Sequence, residues 1–362
     1  MPKVISVGVG TPPHKLLQEE TLQFAREMFS SSFSDIERLL KVFQNGDIKT
    51  RYFAQPLDWY KENHTFEEKN EAFIHNAIKF GINAIKDCIR ENEFLEKTVP
   101  VEEIDAIFFI STTGLSTPSI EARIMNKLPF SLHTKRIPVW GLGCAGGASG
   151  LSRAYEYCLA YPKAKVLLLS VELCSLTFQR DDQSKSNLVG TSLFSDGVAC
   201  VLLAGDEATG IHSKKKRLPS IKGVESTLMP NSEDVMGWDI RNNGLYVVFS
   251  RDIPSIVRSW LGDQVKEFLK KYSLTEQHIK HFVAHPGGKK VLKAYRETLN
   301  FSEEMTETSS HVLQSFGNMS SATVLYVLKE FLQQEITEQD YGIVTALGPG
   351  FSSELLLLKW EV

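Results

Sequence analysis

The chain has 362 residues, 42% hydrophobic and 23% charged, which suits a globular protein with two cores or one large duplicated unit. A formal net charge of −4 leaves no electrostatic footprint for nucleic acid, and no segment approaches the ~20 apolar residues of a membrane helix, so no integral membrane association is expected. The five cysteines, at 88, 144, 158, 174 and 200, are odd in number and include no CxxC pair; free thiols in a reducing cytoplasm fit better than a disulfide framework or a zinc site.

In chain order, "MPKVISVGVG" lacks the charged start and long apolar stretch of a signal peptide, which makes a cytoplasmic protein the expectation. Its "GVG" lacks the third glycine of a dinucleotide-binding turn, so nicotinamide cofactors are not expected. "EEKNEAFIHNAIKFGINAIKDCI" (67–89) predicts a helix with one apolar stripe, and "IDAIFFIS" (104–111) a buried strand. "WGLGCAGGASGL" (140–151) sets Cys144 among small residues where a strand runs into a helix. "KVLLLS" (165–170) and "GVACVLLAG" (197–205) predict further buried strands, and the basic run "KKKR" (214–217) a solvated loop. "IPSIVRSWLGDQVKEFLKKY" (253–272) reads as one amphipathic helix, "KHFVAH" (280–285) as a strand ending in His285, and "ELLLLKW" (354–360) as the last strand. His278 and His281 are one helical turn apart with no carboxylate at ligand spacing, and are expected at the surface. Strands alternating with helices predict an α/β protein.

A repeat organises these elements. "GCAGGASGL" begins at residue 143 and "GNMSSATVL" at 317; "FFIS" ends at 111 and "FVAH" at 285, so both pairs are 174 residues apart. Two similar halves follow, the first with an extra portion over about 14–60 and an insertion near 172–192. Cys144 and Asn318 then occupy equivalent corners, each ending a strand and opening a helix, where ligands tend to bind. A cysteine at a helix N-terminus is favoured as thiolate, and a strand-tip histidine followed by Pro-Gly-Gly can meet it. Cys144 as nucleophile, with His285 and Asn318 donating to a thioester oxygen, points to acyl transfer; an enolate formed by decarboxylation of a malonyl thioester would be stabilised by the same donors.

"GCAGGASGL", "LVGTSLFSDG", "AHPGGKK", "GNMSSATVLYVL" and "ALGPGFSSELLL" resemble the type III polyketide synthases, the chalcone- and stilbene-synthase-like enzymes of the thiolase superfamily, over essentially the whole chain. "STTGLSTPSIEARIMNKLPF", "ELCSLTF" and "SEDVMGWD" look closest to bacterial alkylpyrone and alkylresorcinol synthases. The resemblance implies a five-layered αβαβα thiolase-like fold of two pseudo-symmetric halves, residues 1–215 with Cys144 and 216–362 with His285 and Asn318. It also implies a homodimer acting on free CoA thioesters with no metal or redox cofactor. By the same resemblance Phe194 is an aromatic gate, and Thr112, Cys174, Thr177 and Ser320 shape the starter and elongation cavities. Arg38, Lys41 and Arg51 match an entrance for CoA phosphates, and Met125 a methionine that reaches across a dimer. Two positions depart from the pattern: Ser195 stands where glycine is usual, and Val247 where plant members carry a second aromatic gate, which favours an aliphatic starter. The expected function is condensation of a fatty acyl-CoA with malonyl-CoA, closing to an alkylpyrone or alkylresorcinol. The rivals are a ketoacyl synthase of the fatty-acid pathway, which typically lacks "HPGG" and "GPG", and a catalytically silent binding subunit.

Overall fold

The computed structural model describes residues 1–30, 33, 35–250 and 252–362. The strands among them are β1 (Lys3–Val9), β2 (His14–Leu17), β3 (Thr50–Phe53), β4 (Ala106–Ser111), β5 (Lys135–Trp140), β6 (Lys165–Leu173), β7 (Asp196–Ala204), β8 (Leu218–Leu228), β9 (Met236–Arg241), β10 (Gly244–Phe249), β11 (Ile279–Ala284), β12 (Tyr341–Gly348) and β13 (Ser352–Glu361). β6 and β7 are buried along their whole length, which is why they read as unbroken apolar runs rather than as alternation.

One large sheet runs β11-β12-β13-β8-β1-β7-β6-β4-β5, and its order exposes the duplication. From β1 outward the partners are β7, β6 and β4; from β8 outward they are β13, β12 and β11. The pairings are antiparallel, antiparallel and parallel in both directions. The two series meet where Lys3 of β1 pairs with Ser220 of β8. Only β5 lacks a counterpart in this scheme, and it is an edge strand with Pro138 inside it, the position in a sheet that tolerates a missing N–H.

The helices Gly146–Ala160 and Thr323–Gln333 form the middle layer. The first touches β4, β6 and β7 of one half and β8, β12 and β13 of the other; the second packs on β1, β7 and β11 and on the first helix. Outside the sheet, the helix Phe66–Ile89 covers β1, β6 and β7, while Gly262–Lys270 lies on β13. Five αβαβα layers result. Phe66–Ile89 begins at a capping box made by Thr65 and Glu68, and it buries Phe73, Ala77, Phe80, Ala84, Ile85 and Cys88 on one stripe. The helix expected over 253–272 is interrupted by a π-type turn at Val257–Leu261, which apolar spacing alone does not reveal. His281 also differs from expectation. It lies on β11, half-buried, with Nε2 3.0 Å from Asp340 and its ring edge-on to Trp360. That carboxylate is 59 residues away in sequence, invisible to local spacing. Among the described residues no helix is long and apolar enough to cross a membrane.

Candidate active site

The duplicated corners meet at the heads of the two middle helices. Cys144 lies in the 3-10 turn Gly143–Ala145 that opens Gly146–Ala160, and Asn318 lies just before the turn Ser320–Ala322 that opens Thr323–Gln333. Two glycines make this possible. Gly143 has φ +47, and a Cβ on it would stand 2.6 Å from Pro349 Cδ. A Cβ on Gly147 would overlap the Ser321 carbonyl oxygen, so this glycine lets the helix heads touch.

Cys144 Sγ lies 3.7 Å from Ser320 Oγ, and the Asn318 side chain is near enough to stabilise a thiolate. Asn318 Nδ2 donates to the Gly287 carbonyl at 3.2 Å, and Oδ1 accepts the Ser320 N–H at 2.9 Å. The amide is thereby oriented, with one N–H left over for a ligand. His285 follows β11 directly and its backbone N–H donates to Thr345 O at 2.8 Å. Its imidazole is buried, and neither Nδ1 nor Nε2 has a hydrogen-bond partner. Cys144, Asn318 and Ser320 are thus brought together, while His285 makes no hydrogen bond to the sulfur.

The electrostatics correct one expectation. Burial pushes the Cys144 thiol up to about 12, helped by the charge of Glu172, and the bonds from Ser320 and Asn318 only partly oppose it. Burial also pushes His285 down to about 4. The resting site holds a neutral thiol and a neutral imidazole, because desolvation outweighs the helix-terminus field. Iodoacetamide alkylation of Cys144 is therefore expected to be slow at pH 7 and still accelerating at pH 9, where an ordinary thiol of pKa ~8.5 is levelling off. An alkylation midpoint below that ordinary value would show instead that the two residues form an ion pair.

Glu172 joins the site, although its place near the end of an apolar strand does not reveal it in the sequence. Fully buried, it accepts the Thr112 N–H and the Thr113 hydroxyl at 3.0 Å each, and the Ser321 hydroxyl; burial raises its carboxyl to about 7. Thr112 returns the contact to the turn that carries Cys144, its Oγ1 accepting the Gly143 N–H at 3.0 Å.

Thr112, Cys174, Phe194, Val247, Phe249 and Ser320 line a chamber at Cys144 with about 410 Å³ of atom-free space. A second chamber, with about 530 Å³ of atom-free space counted out to its open side, shares Cys174, Phe194 and Val247 and continues to Phe24, Arg51, Phe53, Thr177 and Phe178. The space a water-sized sphere can occupy is far smaller, about 30 Å³ in the first and 50 Å³ in the second, below the roughly 300–1,000 Å³ of small-molecule sites. Val247 lines both chambers, but Phe194 does not lack aromatic company. Phe249, two residues on along β10 and so on the same face, meets Phe194 edge-on at 6.4 Å, and Trp238 lies 6.3 Å from it. That period-two relation was available in the sequence.

The remaining assignments divide. Arg38 and Lys41 are exposed on the helix Ile36–Asn45, and Arg38 pairs with Asp35 at 3.3 Å; neither lines the chambers. Arg51 lines the second chamber from within the fold. It is 1% exposed, and its Nη1 donates to the carbonyls of Thr191 (2.6 Å) and Phe194 (2.8 Å). Met125, at the end of the helix Ile120–Met125, is half-buried against the core of its own chain.

The chain matches the family model of the N-terminal domain of chalcone and stilbene synthases over residues 1–207, and that of their C-terminal domain over 220–360. It is 54% identical to a Bacillus subtilis protein that carries the provisional name chalcone synthase, over 99% of this chain and 98% of that one. It is 27% identical to a Mycobacterium tuberculosis protein named as polyketide synthase-like and for alpha-pyrone synthesis, over 97% and 89%. Among solved structures, the 1,3,6,8-tetrahydroxynaphthalene synthase of Streptomyces coelicolor, a bacterial type III polyketide synthase, superposes with a TM-score of 0.90 at 27% identity over 99% of both chains.

Proposed function

The chain belongs to the chalcone and stilbene synthase family and is a type III polyketide synthase, and from that premise we propose that it joins a long-chain fatty acyl-CoA to malonyl-CoA. The Cys144 sulfur attacks the starter thioester while neutral His285 takes the thiol proton; the acyl group stays on sulfur and CoA leaves as its thiol. Malonyl-CoA then presents its thioester oxygen to Asn318 Nδ2–H and to His285 N–H. Loss of CO₂ leaves an enolate whose negative oxygen these donors hold, and its carbon attacks the acyl group and frees Cys144. About two or three such rounds precede closure to an alkylpyrone or alkylresorcinol. No step calls for a metal or redox group. The enzyme works as a cytoplasmic homodimer on free CoA esters, with Arg38 and Lys41 meeting the CoA phosphates. The name of the Mycobacterium relative supports a pyrone as the product.

The starter assignment rests on the second chamber, which sets Phe24, Phe53, Tyr60 and Phe178 beside the polar Arg51, Ser175, Thr177 and Asn187, and which would have to widen to take an alkyl chain; we read its mouth at Cys174, Phe194 and Val247, the residues it shares with the first. Each methylene buried there contributes about 0.8 kcal/mol, so a few outweigh a polar contact worth about 1 kcal/mol. Cys174→Phe is expected to close the mouth and shift preference towards short starters. Relative kcat/KM for hexanoyl- and palmitoyl-CoA, with products identified by mass spectrometry, measures it. An active, folded variant that still prefers palmitoyl-CoA as strongly as the parent would remove the support for a long-chain starter.

A further inference from the structure

Arg51 is a buried cation in the wall of the second chamber, and Ser195 departs from the glycine usual at its position. Arg51 faces, and Ser195 belongs to, one short segment, Leu193 to Asp196, that carries the gate residue Phe194. On one side this segment is tied to the catalytic corner: Asn318 N–H donates to Leu193 O and Ser195 N–H donates to Asn318 O, each at 2.9 Å. On the other side it is tied to β3. Ser195 Oγ accepts the Tyr52 N–H at 2.9 Å and donates to Tyr52 O at 3.1 Å, and Asp196 Oδ2 accepts the Ala54 N–H at 2.6 Å. Arg51 completes the seam by gripping the carbonyls of Thr191 and Phe194, which end the helix Lys185–Leu193 and collect its negative pole. Its stem fills the space beside Gly317, where a Cβ would lie 2.9 Å from Arg51 Cγ and 3.0 Å from Ser195 Cβ.

We infer that Arg51 and Ser195 are positioning residues: a staple that fixes Phe194 and the Asn318 amide relative to each other, and so sets the donor geometry for malonyl decarboxylation and the aperture offered to the starter. Arg51 keeps its charge in this role. Burial lowers it only to about 9, with Asp196 opposing the fall, so the guanidinium stays protonated at neutral pH. Asp196 takes its other bonds from Ser175, whose N–H and hydroxyl both donate to it, and burial raises its carboxyl to about 7.

The inference rests on the condensing reaction proposed above, and malonyl-CoA decarboxylation by the full-length enzyme separates the two. Arg51→Met is expected to lower kcat for decarboxylation about 10- to 100-fold, the effect of a misplacement of about 1 Å, while KM for malonyl-CoA moves less than about twofold. Ser195→Ala removes only the hydroxyl and is expected to lower kcat about fivefold, the worth of one buried hydrogen bond. Combined with Phe194→Leu, Ser195→Ala is expected to change the hexanoyl-to-palmitoyl ratio non-additively by more than about threefold, because both act through the gate. A purely structural loss would lower the amount of active enzyme and leave that ratio additive. If Arg51→Met does not fold, Ser195→Ala decides alone. Unchanged decarboxylation kcat in Ser195→Ala together with strict additivity overturns the staple. A parent enzyme that cannot decarboxylate malonyl-CoA overturns the proposed function instead.

Discussion

Cys144→Ala is expected to abolish condensation product while malonyl-CoA decarboxylation continues. Loss of an activated nucleophile costs on the order of 10⁴–10⁶-fold in turnover, and the Thr112 and Ser320 hydroxyls that share the chamber are much weaker nucleophiles than a thiolate. Cys174 is the only other thiol lining it, and burial together with the charges of Glu172 and Asp196 holds that thiol well above its ordinary range. The enolate-stabilising groups do not lean on the sulfur. The Asn318 amide is oriented by Gly287 and by the Ser320 N–H, and His285 hangs from the end of β11 through its backbone bond to Thr345. Acetyl-CoA released from malonyl-CoA, measured beside product by mass spectrometry, separates the two activities. Intact-protein mass after exposure to starter adds a third readout, with no acyl adduct expected. Product at the parent level, or an acyl adduct on another residue, would sink Cys144 as nucleophile.

What the sequence makes legible here is what repetition and residue type encode. The 174-residue offset between the motifs anticipates the sheet order, because a duplicated strand set must pair in the same senses on both sides of the β1–β8 seam. Cys144 and Asn318 are found by the same offset, since equivalent corners converge on equivalent helix heads. Burial escapes such reading. Arg51 sits in "IKTRYF", where basic residues near an exposed helix suggest a surface, yet β3 turns that side chain inward against Phe194. The Cys144 thiol follows the same logic: a helix N-terminus is visible in sequence, but the desolvation that dominates comes from packing by distant segments. Glu172 ends an apolar strand, and only the fold reveals that Thr112, Thr113 and Ser321 converge on its carboxylate.

His285→Ala and Asn318→Ala should each suppress malonyl-CoA decarboxylation by about 10²–10³-fold, the usual cost of one oxyanion donor. As the malonyl carboxylate departs, negative charge moves onto the thioester oxygen, and an N–H aimed at that oxygen gains strength in a buried site. Asn318 supplies one N–H, since its other is held by Gly287. His285 supplies another as neutral imidazole. Pushed down to about 4, it is uncharged at pH 7 but keeps one ring N–H, and with both nitrogens unpartnered it gives up no existing bond to donate. The pH dependence carries a sign. A histidine already neutral well below pH 6 adds no titration above it, so His285 itself is expected to impose no slope on decarboxylation by Cys144→Ala from about pH 6 to 8; a slope in that window that persists in His285→Ala belongs to the buried carboxyls of Glu172 and Asp196, each raised to about 7. An imidazolium donor would give the opposite profile, losing rate as pH rises through the ordinary histidine range near 6.5. Stopped assays of acetyl-CoA formation across that window, in the Cys144→Ala background with and without His285→Ala, distinguish them. Decarboxylation that survives His285→Ala and Asn318→Ala together would mean that the enolate oxygen is held elsewhere, and the acyl-transfer assignment of this corner would fall with it.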